Sequence, residues 1–267
     1  MVLTATSNGR AKIRVDRATK VYEGKTGPVR ALEEFSVDIR EGELVCVLGP
    51  SGCGKTTLLW AMSGLHALTD GQILLENRPI NGPRPAEIGM IFQEANLLPW
   101  RNLRQNIVFP FEIKRRKPDY GRINDLLEAT GLAGFEKSYP RELSGGMQQR
   151  ASIVRALAQD PAVLLMDEPF GALDAFTRDE MNLLLLSLWS ETRKTVVFVT
   201  HNISEAIFLA DRVVVMTPRP GRLARIYEIE LPRPRTVGMT FEPGFIEQIQ
   251  EIKHTVEAGG RHAVEVE

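Results

Sequence analysis

A glycine-rich stretch at residues 49–56, with the sequence GPSGCGKT, constrains the fold of this chain more than any other feature. It directly follows the apolar run 44–48 and directly precedes the helix-like run 58–62. A buried strand, a glycine-rich turn and a helix start form the setting in which GxxxxGKS/T binds phosphate through backbone N–H groups and the helix dipole. A simple turn with a solvated lysine would not require every fixed position of this pattern. The stretch therefore predicts a binding site for a nucleoside triphosphate.

Composition limits the classes of protein to which this chain can belong. Its 267 residues suffice for one large domain or a core with subdomains, and a net charge of −1 argues against nucleic acid as a partner. No apolar run approaches the roughly 18 residues of a membrane span, and the polar N-terminus lacks the apolar centre of a secretory signal. The two cysteines, Cys46 and Cys53, form no disulfide framework. We therefore expect a protein of the cytosol.

The hydrophobic pattern changes character along the chain. Period-two alternation between residues 13 and 39 predicts antiparallel strands with a loop at 24–28, and further short strands surround a predicted turn at 77–79. Residues 97–159 show amphipathic helical spacing, which predicts a small inserted helical subdomain. Elsewhere, continuous β-branched runs alternate with helices, which indicates a parallel sheet covered on both faces. Tyr22 lies in the antiparallel region, where its spacing favours a half-buried strand aromatic over a platform for adenine.

Polar residues follow the ends of several apolar strands. Gln93, Asp167, Glu168 and His201 each stand just after such a run, as does the phosphate loop. Ligands of open α/β sheets bind in the crevice beyond the carboxyl ends of the strands. Groups that lie far apart in the sequence are therefore expected to converge on one edge of the sheet. That convergence predicts a site that hydrolyses a nucleoside triphosphate.

Each group at this edge has a chemical role to which it is suited. Lys55 would reach the β- and γ-phosphates, and Thr56 would coordinate Mg²⁺. Asp167 matches the acidic strand end that holds Mg²⁺ through water, and Glu168 would act as general base toward the attacking water. His201 alone reads as an ordinary strand-end histidine. With Glu168 in place, a contact to the γ-phosphate becomes the better interpretation.

A second helix start, at residues 143–150 with the sequence LSGGMQQR, narrows the class of protein to which this chain can belong. Ser144 is an N-cap residue, and the two glycines after it leave backbone N–H groups exposed. This makes a second anion-binding helix start in the same chain. A single site has no use for two such cradles. The second cradle is useful if it closes on a nucleotide bound to another copy of the chain.

Together with residues 172–174 (ALD), these segments resemble in order and spacing the Walker A, Q-loop, signature, Walker B, D-loop and switch-histidine motifs of ABC-transporter ATPase subunits. The resemblance implies an α/β fold: a phosphate-loop (RecA-like) parallel-sheet core with an N-terminal antiparallel β subdomain and an inserted helical subdomain. It places the ATPase domain at 11–231, with the helical subdomain at about 97–160, and leaves 232–267 as a short extension. It also implies ATP and Mg²⁺ as ligands, and a homodimer in which each nucleotide lies between the phosphate loop of one subunit and the signature of the other.

The resemblance also assigns roles to individual residues and makes Tyr22 the aromatic that stacks on adenine. The nucleotide-binding set is then Tyr22, Gly49, Pro50, Ser51, Gly52, Cys53, Gly54, Lys55, Thr56 and Thr57. The catalytic set is Glu168, His201 and Gln93, and the Mg²⁺ ligands are Thr56, Gln93 and Asp167. The groups acting on the partner's nucleotide are Leu143, Ser144, Gly145, Gly146 and Gln148, with Asp174 in the D-loop. The contact with a permease falls to Leu97, Leu98 and Trp100.

Two shorter segments, 92–100 and 216–222, look like those of bacterial importers for nitrate, sulfonate or taurine. This similarity implies ATP hydrolysis that drives solute uptake, by a homodimer docked on membrane permease subunits at the cytoplasmic side of the inner membrane. A periplasmic solute-binding protein would be an indirect partner. The alternative is a soluble ABC ATPase that acts on ribosomes or DNA and is not coupled to transport. Co-purification with a hydrophobic membrane subunit would distinguish the two.

Overall fold

The structure is a computed structural model that describes residues 10–24 and 27–264, with side chains to residue 258. Its strands and helices alternate along most of the chain. In chain order they are β1 (Ala11–Gly24), β2 (Gly27–Arg40), β3 (Leu44–Leu48), α1 (Lys55–Ser63), β4 (Asp70–Leu75), β5 (Arg78–Pro79), β6 (Ile88–Ile91), α2 (Leu103–Ile113), α3 (Tyr120–Ala129), α4 (Gly145–Leu157), β7 (Val163–Asp167), α5 (Ala175–Thr192), β8 (Thr195–Thr200), α6 (Ile203–Leu209), β9 (Arg212–Met216), β10 (Leu223–Glu228) and α7 (Pro243–Val264).

The N-terminal sheet has four antiparallel strands in the order β2-β1-β4-β5. The loop predicted at 24–28 falls between β1 and β2, but it is shorter than predicted, because Gly24 pairs with Gly27 and these two residues and Pro28 belong to the strands. Residues 25–26 lie outside the described residues. The predicted turn at 77–79 is also displaced: Glu76 and Asn77, with φ of 51° and 63°, make the reversal, and Pro79 belongs to β5. Positive φ at both central residues is the geometry that fits a tight hairpin.

The second sheet has six strands in the order β10-β9-β3-β8-β7-β6, and all but β10 run parallel. Every residue of β3, β7, β8 and β9 is buried, which explains why these strands are apolar except at their ends. Alternate side chains of β3 enter different clusters. Val45 and Val47 pack with α1 and the antiparallel sheet, whereas Leu44, Cys46 and Leu48 face the remaining helices. The sheet is therefore covered on both faces, as predicted.

The segment between β6 and β7 is helical, and its helices have clear start signals. Asn102 and Gln105 form a reciprocal capping box at the start of α2, and Asp119 caps α3. The buried side chain of Asn106 binds the backbone at Leu98 and Arg101, which fixes the loop before α2. Ser144 caps α4. These helices share the apolar cluster on one face of the parallel sheet.

The C-terminal segment packs onto the core through α7, which contacts α6, β9 and β10. Phe245 and Ile252 of α7 are buried, at 2% and 1% exposure. Before α7, Arg233 donates to the carbonyl of Leu209, and Arg235 donates to the carbonyls of Ile207 and Phe208. These two arginines therefore cap the C-terminus of α6. Over the ranges that the structure describes, none of the helices is long and apolar enough to cross a membrane.

Candidate active site

The phosphate loop leaves β3 at Leu48 and ends at Lys55, the first residue of α1. Gly52 and Gly54 have φ of 75° and 102°, a region that disfavours side chains. A Cβ at Gly54 would also lie 2.7 Å from the carbonyl oxygen of Ala31. Both the backbone conformation and this close contact therefore require glycine at position 54. Lys55 is 5% exposed, and its Nζ donates to the carbonyls of Gly49 (2.8 Å) and Pro50 (3.0 Å). The lysine ammonium thus lies within the curve of the loop.

Asp167 ends β7 beside the start of α1. The hydroxyl of Thr56 donates to its Oδ1 at 3.0 Å, which joins the two residues assigned to Mg²⁺. Burial raises the pKa of Asp167, and the hydrogen bond from Thr56 opposes that rise. Because the carboxylate is 8% exposed, its ionised form lacks the water that would stabilise it. A nearby cation would supply the missing stabilisation.

Glu168 and His201 form the closest acid–base pair at this edge. Glu168 Oε2 lies 2.7 Å from His201 Nδ1, although 33 positions separate the residues. Glu168 has a φ of 44°, unusual for a residue with a side chain, and its N–H donates to the carbonyl of Val199. Strained backbone of this kind persists where the surrounding structure holds it, and it concentrates at functional sites. The geometry therefore aims the carboxylate at the histidine beyond the sheet.

Gln93 lies near the same pair. A Cβ placed on Gly171 would be 3.7 Å from Glu168 Oε2 and 3.8 Å from Gln93 Nε2, so both side chains border one point. The strand order explains this convergence: β3, β8, β7 and β6 are consecutive neighbours, and all four run parallel. Their carboxyl ends carry the phosphate loop, His201, the two acids and Gln93 in turn. The structure therefore brings together the groups that the sequence placed at separate strand ends.

The signature segment stands apart from this edge. Ser144 and Gly145 are exposed, and the hydroxyl of Ser144 accepts from the N–H of Met147 at 3.3 Å. Gln148 donates to the carbonyls of Pro140 and Leu143, which holds the preceding loop in place. In the part of the chain that the structure describes, no hydrogen bond joins Ser144 to the phosphate loop. Both helix starts are thus formed, and within the described residues no hydrogen bond links them.

The segment around Asp174 lies close to the signature. Asp174 caps α5 by accepting from the N–H and hydroxyl of Thr177, and these bonds lower the pKa of its carboxyl. The signature residues Leu143 and Gly146 are buried. A Cβ at Gly146 would lie 3.0 Å from the methyl group of Thr177, so the two segments are in close contact. Asp174 and the signature therefore form one surface.

Tyr22 is half-buried in β1, as its spacing predicted. Its hydroxyl makes a 2.9 Å hydrogen bond with Nδ1 of His66, whose ring packs edge-on against Trp60. The 44 positions between Tyr22 and His66 leave this partner without a signal in the sequence. The adenine-stacking role of Tyr22 stays a prediction.

The three residues assigned to the permease contact differ in exposure. Leu97 is partly buried and packs against the large apolar cluster, and Leu98 is half-buried. Trp100 is 71% exposed. Of the three, Trp100 has the largest surface available to a partner.

Sequence reasoning missed two side chains of α4 that hold the backbone around Gln93. Gln149 Nε2 donates to the carbonyl of Phe92 at 3.2 Å. Arg155 donates to the carbonyls of Ala95 and Asn96, both at 2.8 Å, and burial lowers the pKa of its guanidinium. These residues occupy ordinary helical positions in α4, so only their three-dimensional partners reveal the role.

Comparison with known proteins agrees with this geometry. The family described as ABC transporter matches residues 32–171. The aliphatic sulfonates import ATP-binding protein SsuB of Bacillus cereus (strain ZK / E33L) is 41% identical over 244 residues, covering 91% of this chain and 94% of that protein. The taurine import ATP-binding protein TauB of Jannaschia sp. (strain CCS1) is 49% identical over 205 residues, 76% of each chain.

Solved structures give the same answer for the fold. The dimeric, post-hydrolysis structure of the ATP-binding cassette MJ0796 bound to ADP and Pi has a TM-score of 0.73 and 32% identity, over 82% of this chain and 100% of that chain. The fold and site therefore define an ATP-binding cassette with ATPase chemistry. This chain belongs to the ABC transporter family, as one of its ATP-binding subunits. The predicted fold class and the predicted ATPase are confirmed.

Proposed function

We propose that this chain is the ATP-hydrolysing subunit of an importer that takes up a small sulfonated solute of the aliphatic sulfonate or taurine type. The observation that carries hydrolysis is the pairing of Glu168 with His201 at 2.7 Å, beside the phosphate loop. The solute class rests on relatives named for aliphatic sulfonates and for taurine, at 41% and 49% identity. Within the predicted group of nitrate, sulfonate and taurine importers, these relatives favour the sulfonates.

The chemistry follows from the positions of the side chains. Lys55 and the N–H groups of the phosphate loop bind the β- and γ-phosphates. Glu168 accepts a proton from the water that attacks the γ-phosphate, and His201 and Gln93 orient that water and the phosphate oxygens. Positioning and charge stabilisation supply most of the catalysis, because phosphoryl transfer needs little covalent participation from the protein.

The residues assigned to Mg²⁺ fit that ion. Thr56, Asp167 and Gln93 offer a hydroxyl, a carboxylate and an amide oxygen, and Mg²⁺ favours one or two protein oxygens together with phosphates and water. Across residues 10–24 and 27–258, no group of three or more His, Cys, Asp or Glu side chains could hold a metal ion. A site shared with the nucleotide phosphates needs no such group. When bound, Mg²⁺ neutralises charge on the β- and γ-phosphate oxygens.

The working form of the subunit is a head-to-tail homodimer. The exposed Ser144 and Gly145 form a helix start that its own chain does not use for a nucleotide, and a partner's nucleotide would complete it. The cassette MJ0796, which shares this fold, is described as dimeric. Ser144, with Leu143, Gly145, Gly146, Gln148 and Asp174, would therefore act on the nucleotide of the partner subunit.

The dimer would dock on membrane permease subunits at the cytoplasmic face of the membrane, with a periplasmic solute-binding protein as an indirect partner. Two features support this docking. Trp100 is 71% exposed, and tryptophan is enriched among interface anchors. A cavity of about 240 Å³ lies between α1, α2 and α4, with Leu65, Met90 and Phe92 in its walls. Phe92 immediately precedes Gln93, so an occupant of this cavity would lie next to the loop that bears a catalytic residue.

The variant Glu168→Gln tests the hydrolytic assignment. The amide keeps the shape of the side chain but cannot accept the proton, and general-base catalysis is typically worth about 10²–10⁴-fold. We expect ATP binding at the wild-type Kd, a loss of turnover of that order, and accumulation of a nucleotide-bound dimer by gel filtration. Wild-type turnover in this variant would remove Glu168 from its role.

The variant Trp100→Ala tests the docking assignment in the subunit co-expressed with its permease. We expect ATPase activity of the isolated subunit to persist while solute uptake into vesicles falls. Phe241→Ala, which truncates an aromatic that is 77% exposed on the C-terminal segment, is the matched control. Unfolding of the Trp100→Ala subunit would instead assign Trp100 to the subdomain core. Failure of the co-expressed wild-type subunit to co-purify with the permease would favour the soluble ABC ATPase.

Growth on single sulfur sources tests the solute class. A host strain that lacks this chain should grow on sulfate and fail on taurine or alkanesulfonates, and the wild-type chain should restore growth. The Glu168→Gln chain should not restore it. Equal growth on all sulfur sources, with a defect on nitrate as the nitrogen source, would move the assignment to the nitrate branch.

A further inference from the structure

The turn between β9 and β10, residues 217–222, lies directly behind the phosphate loop. A Cβ at Gly221 would be 2.1 Å from the carbonyl oxygen of Cys53 and 2.8 Å from the Cε of Met216. A Cβ at Gly49 would lie 3.2 Å from both the Cβ and the carbonyl oxygen of Met216. The loop and this turn are therefore in backbone contact, with no room between them for one added carbon.

The same turn is bonded to β2. Gly221 N–H donates to the carbonyl of Ala31 at 2.9 Å, and Glu33 N–H donates to the carbonyl of Gly221 at 3.1 Å. The guanidinium of Arg222 donates to Glu33 Oε2 from Nε at 3.0 Å and from Nη2 at 2.6 Å. Ala31 also lies against Gly54 of the phosphate loop. The phosphate loop is thus held between β2 and the β9–β10 turn.

The turn is closed by its own hydrogen bonds. Thr217 N–H donates to the carbonyl of Arg222 at 3.0 Å. The hydroxyl of Thr217 donates to the carbonyl of Pro220 at 3.1 Å and accepts from the N–H of Arg222 at 2.9 Å. One side chain therefore joins both ends of the turn and keeps Gly221 at the position where it meets Cys53.

We propose that the β9–β10 turn positions the phosphate loop relative to the adenine end of the site, with Gly221 as the positioning residue. The path is continuous: the turn bonds to β2, β2 pairs with β1, and Tyr22 of β1 lies opposite Val29 of β2. The turn thus joins the two surfaces that would hold opposite ends of the nucleotide. The inference rests on the nucleotide site proposed above. It gives a role to residues 216–222, which the ATPase chemistry alone does not use.

The size of the effect follows from geometry. The φ of Gly221 lies outside the left-handed region, so a methyl group there acts through contact and not through backbone strain. The closest atom is a backbone oxygen of the phosphate loop, which cannot rotate away as a side-chain tip could. Relief of a 2.1 Å contact requires a shift of about 1 Å, and misplacements of that size can cost on the order of 100-fold at an active site.

The test measures the Kd of Mg·ATP and of Mg·tripolyphosphate by calorimetry, together with the thermal midpoint of the nucleotide-free subunit. Gly221→Ala should weaken both ligands by roughly tenfold or more, because both depend on the phosphate loop. Gly238→Ala is the matched control, since the nearest atom to its Cβ would be the Thr236 hydroxyl at 3.8 Å. Wild-type Kd values in Gly221→Ala with a lowered midpoint would overturn the proposal, because packing alone would then explain the glycine.

A second pair of variants covers failure of Gly221→Ala to fold. Thr217→Val keeps the shape of the side chain and removes its two hydrogen bonds, whereas Thr217→Ser keeps the hydroxyl. We expect Thr217→Val to weaken ATP binding by roughly fivefold, the equivalent of about 1 kcal/mol, and Thr217→Ser to bind ATP as the wild type does. Equal affinity in both variants would contradict positioning by the turn. Failure of the wild-type chain itself to bind ATP would contradict the proposed function instead.

Discussion

The chain contains two glycine-rich helix starts, and they differ in how much of their surroundings the chain itself supplies. At the start of α1, Lys55 is 5% exposed, and the phosphate loop is held between β2 and the β9–β10 turn. At the start of α4, Ser144 and Gly145 are exposed, and Ser144 uses its hydroxyl on its own helix. Within the described ranges, no side chain caps α1 at Gly54. The first start is built as a site for a ligand, whereas the second is a surface that lacks its counterpart.

This difference shows how a site can be divided between two copies of one chain. A buried cradle fixes the phosphates, because many contacts from one chain determine its shape. An exposed helix start adds N–H groups and the positive end of a dipole only when another molecule brings an anion to it. We therefore expect lesions in the two regions to act on different steps: binding for the first and closure of the dimer for the second.

One substitution in each region should separate ATP binding from closure of the dimer, and the substitution of Lys55 should have the largest effect. Lys55→Ala removes the charged contact to the phosphates, and charge-assisted hydrogen bonds are worth about 1.5–3 kcal/mol each, so the Kd for ATP should rise by at least about 100-fold. Ser144→Arg should leave the Kd of the isolated subunit unchanged and prevent ATP-dependent dimerisation. Calorimetry and light scattering measure the two steps. Weakened binding by the Ser144→Arg monomer would mean that the signature acts on its own chain's nucleotide.

A mixture of these two variants tests action across the dimer. Each homodimer has a lesion in both of its sites, so neither should close on ATP. In the mixed dimer, action on the partner's nucleotide places both lesions in one site and leaves the other whole. Closure should therefore recover in the heterodimers, each of which keeps one whole site of its two, as measured by ATP-dependent cross-linking after the heterodimer has been demonstrated. No recovery at any mixing ratio would contradict the shared site.

Asp167, which lies beside the start of α1, should reduce the stability of the fold. Burial raises the pKa of Asp167 above its value in the unfolded chain, so its ionised form disfavours folding at pH values above the folded pKa. Asp167→Asn should therefore be at least as stable as wild type in urea at pH 7 without nucleotide. This advantage should shrink as the pH falls toward the folded pKa and the wild-type carboxyl takes up its proton. A variant that is less stable at pH 7 would contradict this assignment.

At the start of α4, by contrast, Ser144 should stabilise the fold. This is the smallest of the expected effects. Ser144 accepts from the N–H of Met147, and removal of an N-cap side chain typically costs about 1 kcal/mol. Ser144→Ala should lower the free energy of unfolding by about that amount in urea, and Ser144→Asn, which can still cap, should not. Equal losses in both variants would indicate that Ser144 stabilises the fold by something other than its cap.

Much of the active-site edge was predictable, because its residues follow apolar runs that mark the strands in the sequence. Lys55, Asp167 and His201 each follow or begin an element whose period is clear in the sequence. Tyr22 was predictable as a half-buried strand residue, but its bond to His66 was not, because the two residues lie 44 positions apart. The misplaced turn at 77–79 has a simple cause: proline is a strong turn signal, yet here the reversal is made by Glu76 and Asn77.

Local sequence patterns were enough to predict the phosphate loop, the order of the strands along the chain and the kind of chemistry at their ends. These follow from local patterns: glycines where the backbone must turn, apolar runs where both faces of a strand are buried, and polar residues where a strand stops. The contacts between residues far apart in the sequence become known only from the three-dimensional structure. It pairs Glu168 with His201, places Gln149 and Arg155 on the loop around Gln93, and sets Gly221 against Cys53. Such contacts depend on how distant segments of the chain pack together, which local sequence patterns do not predict.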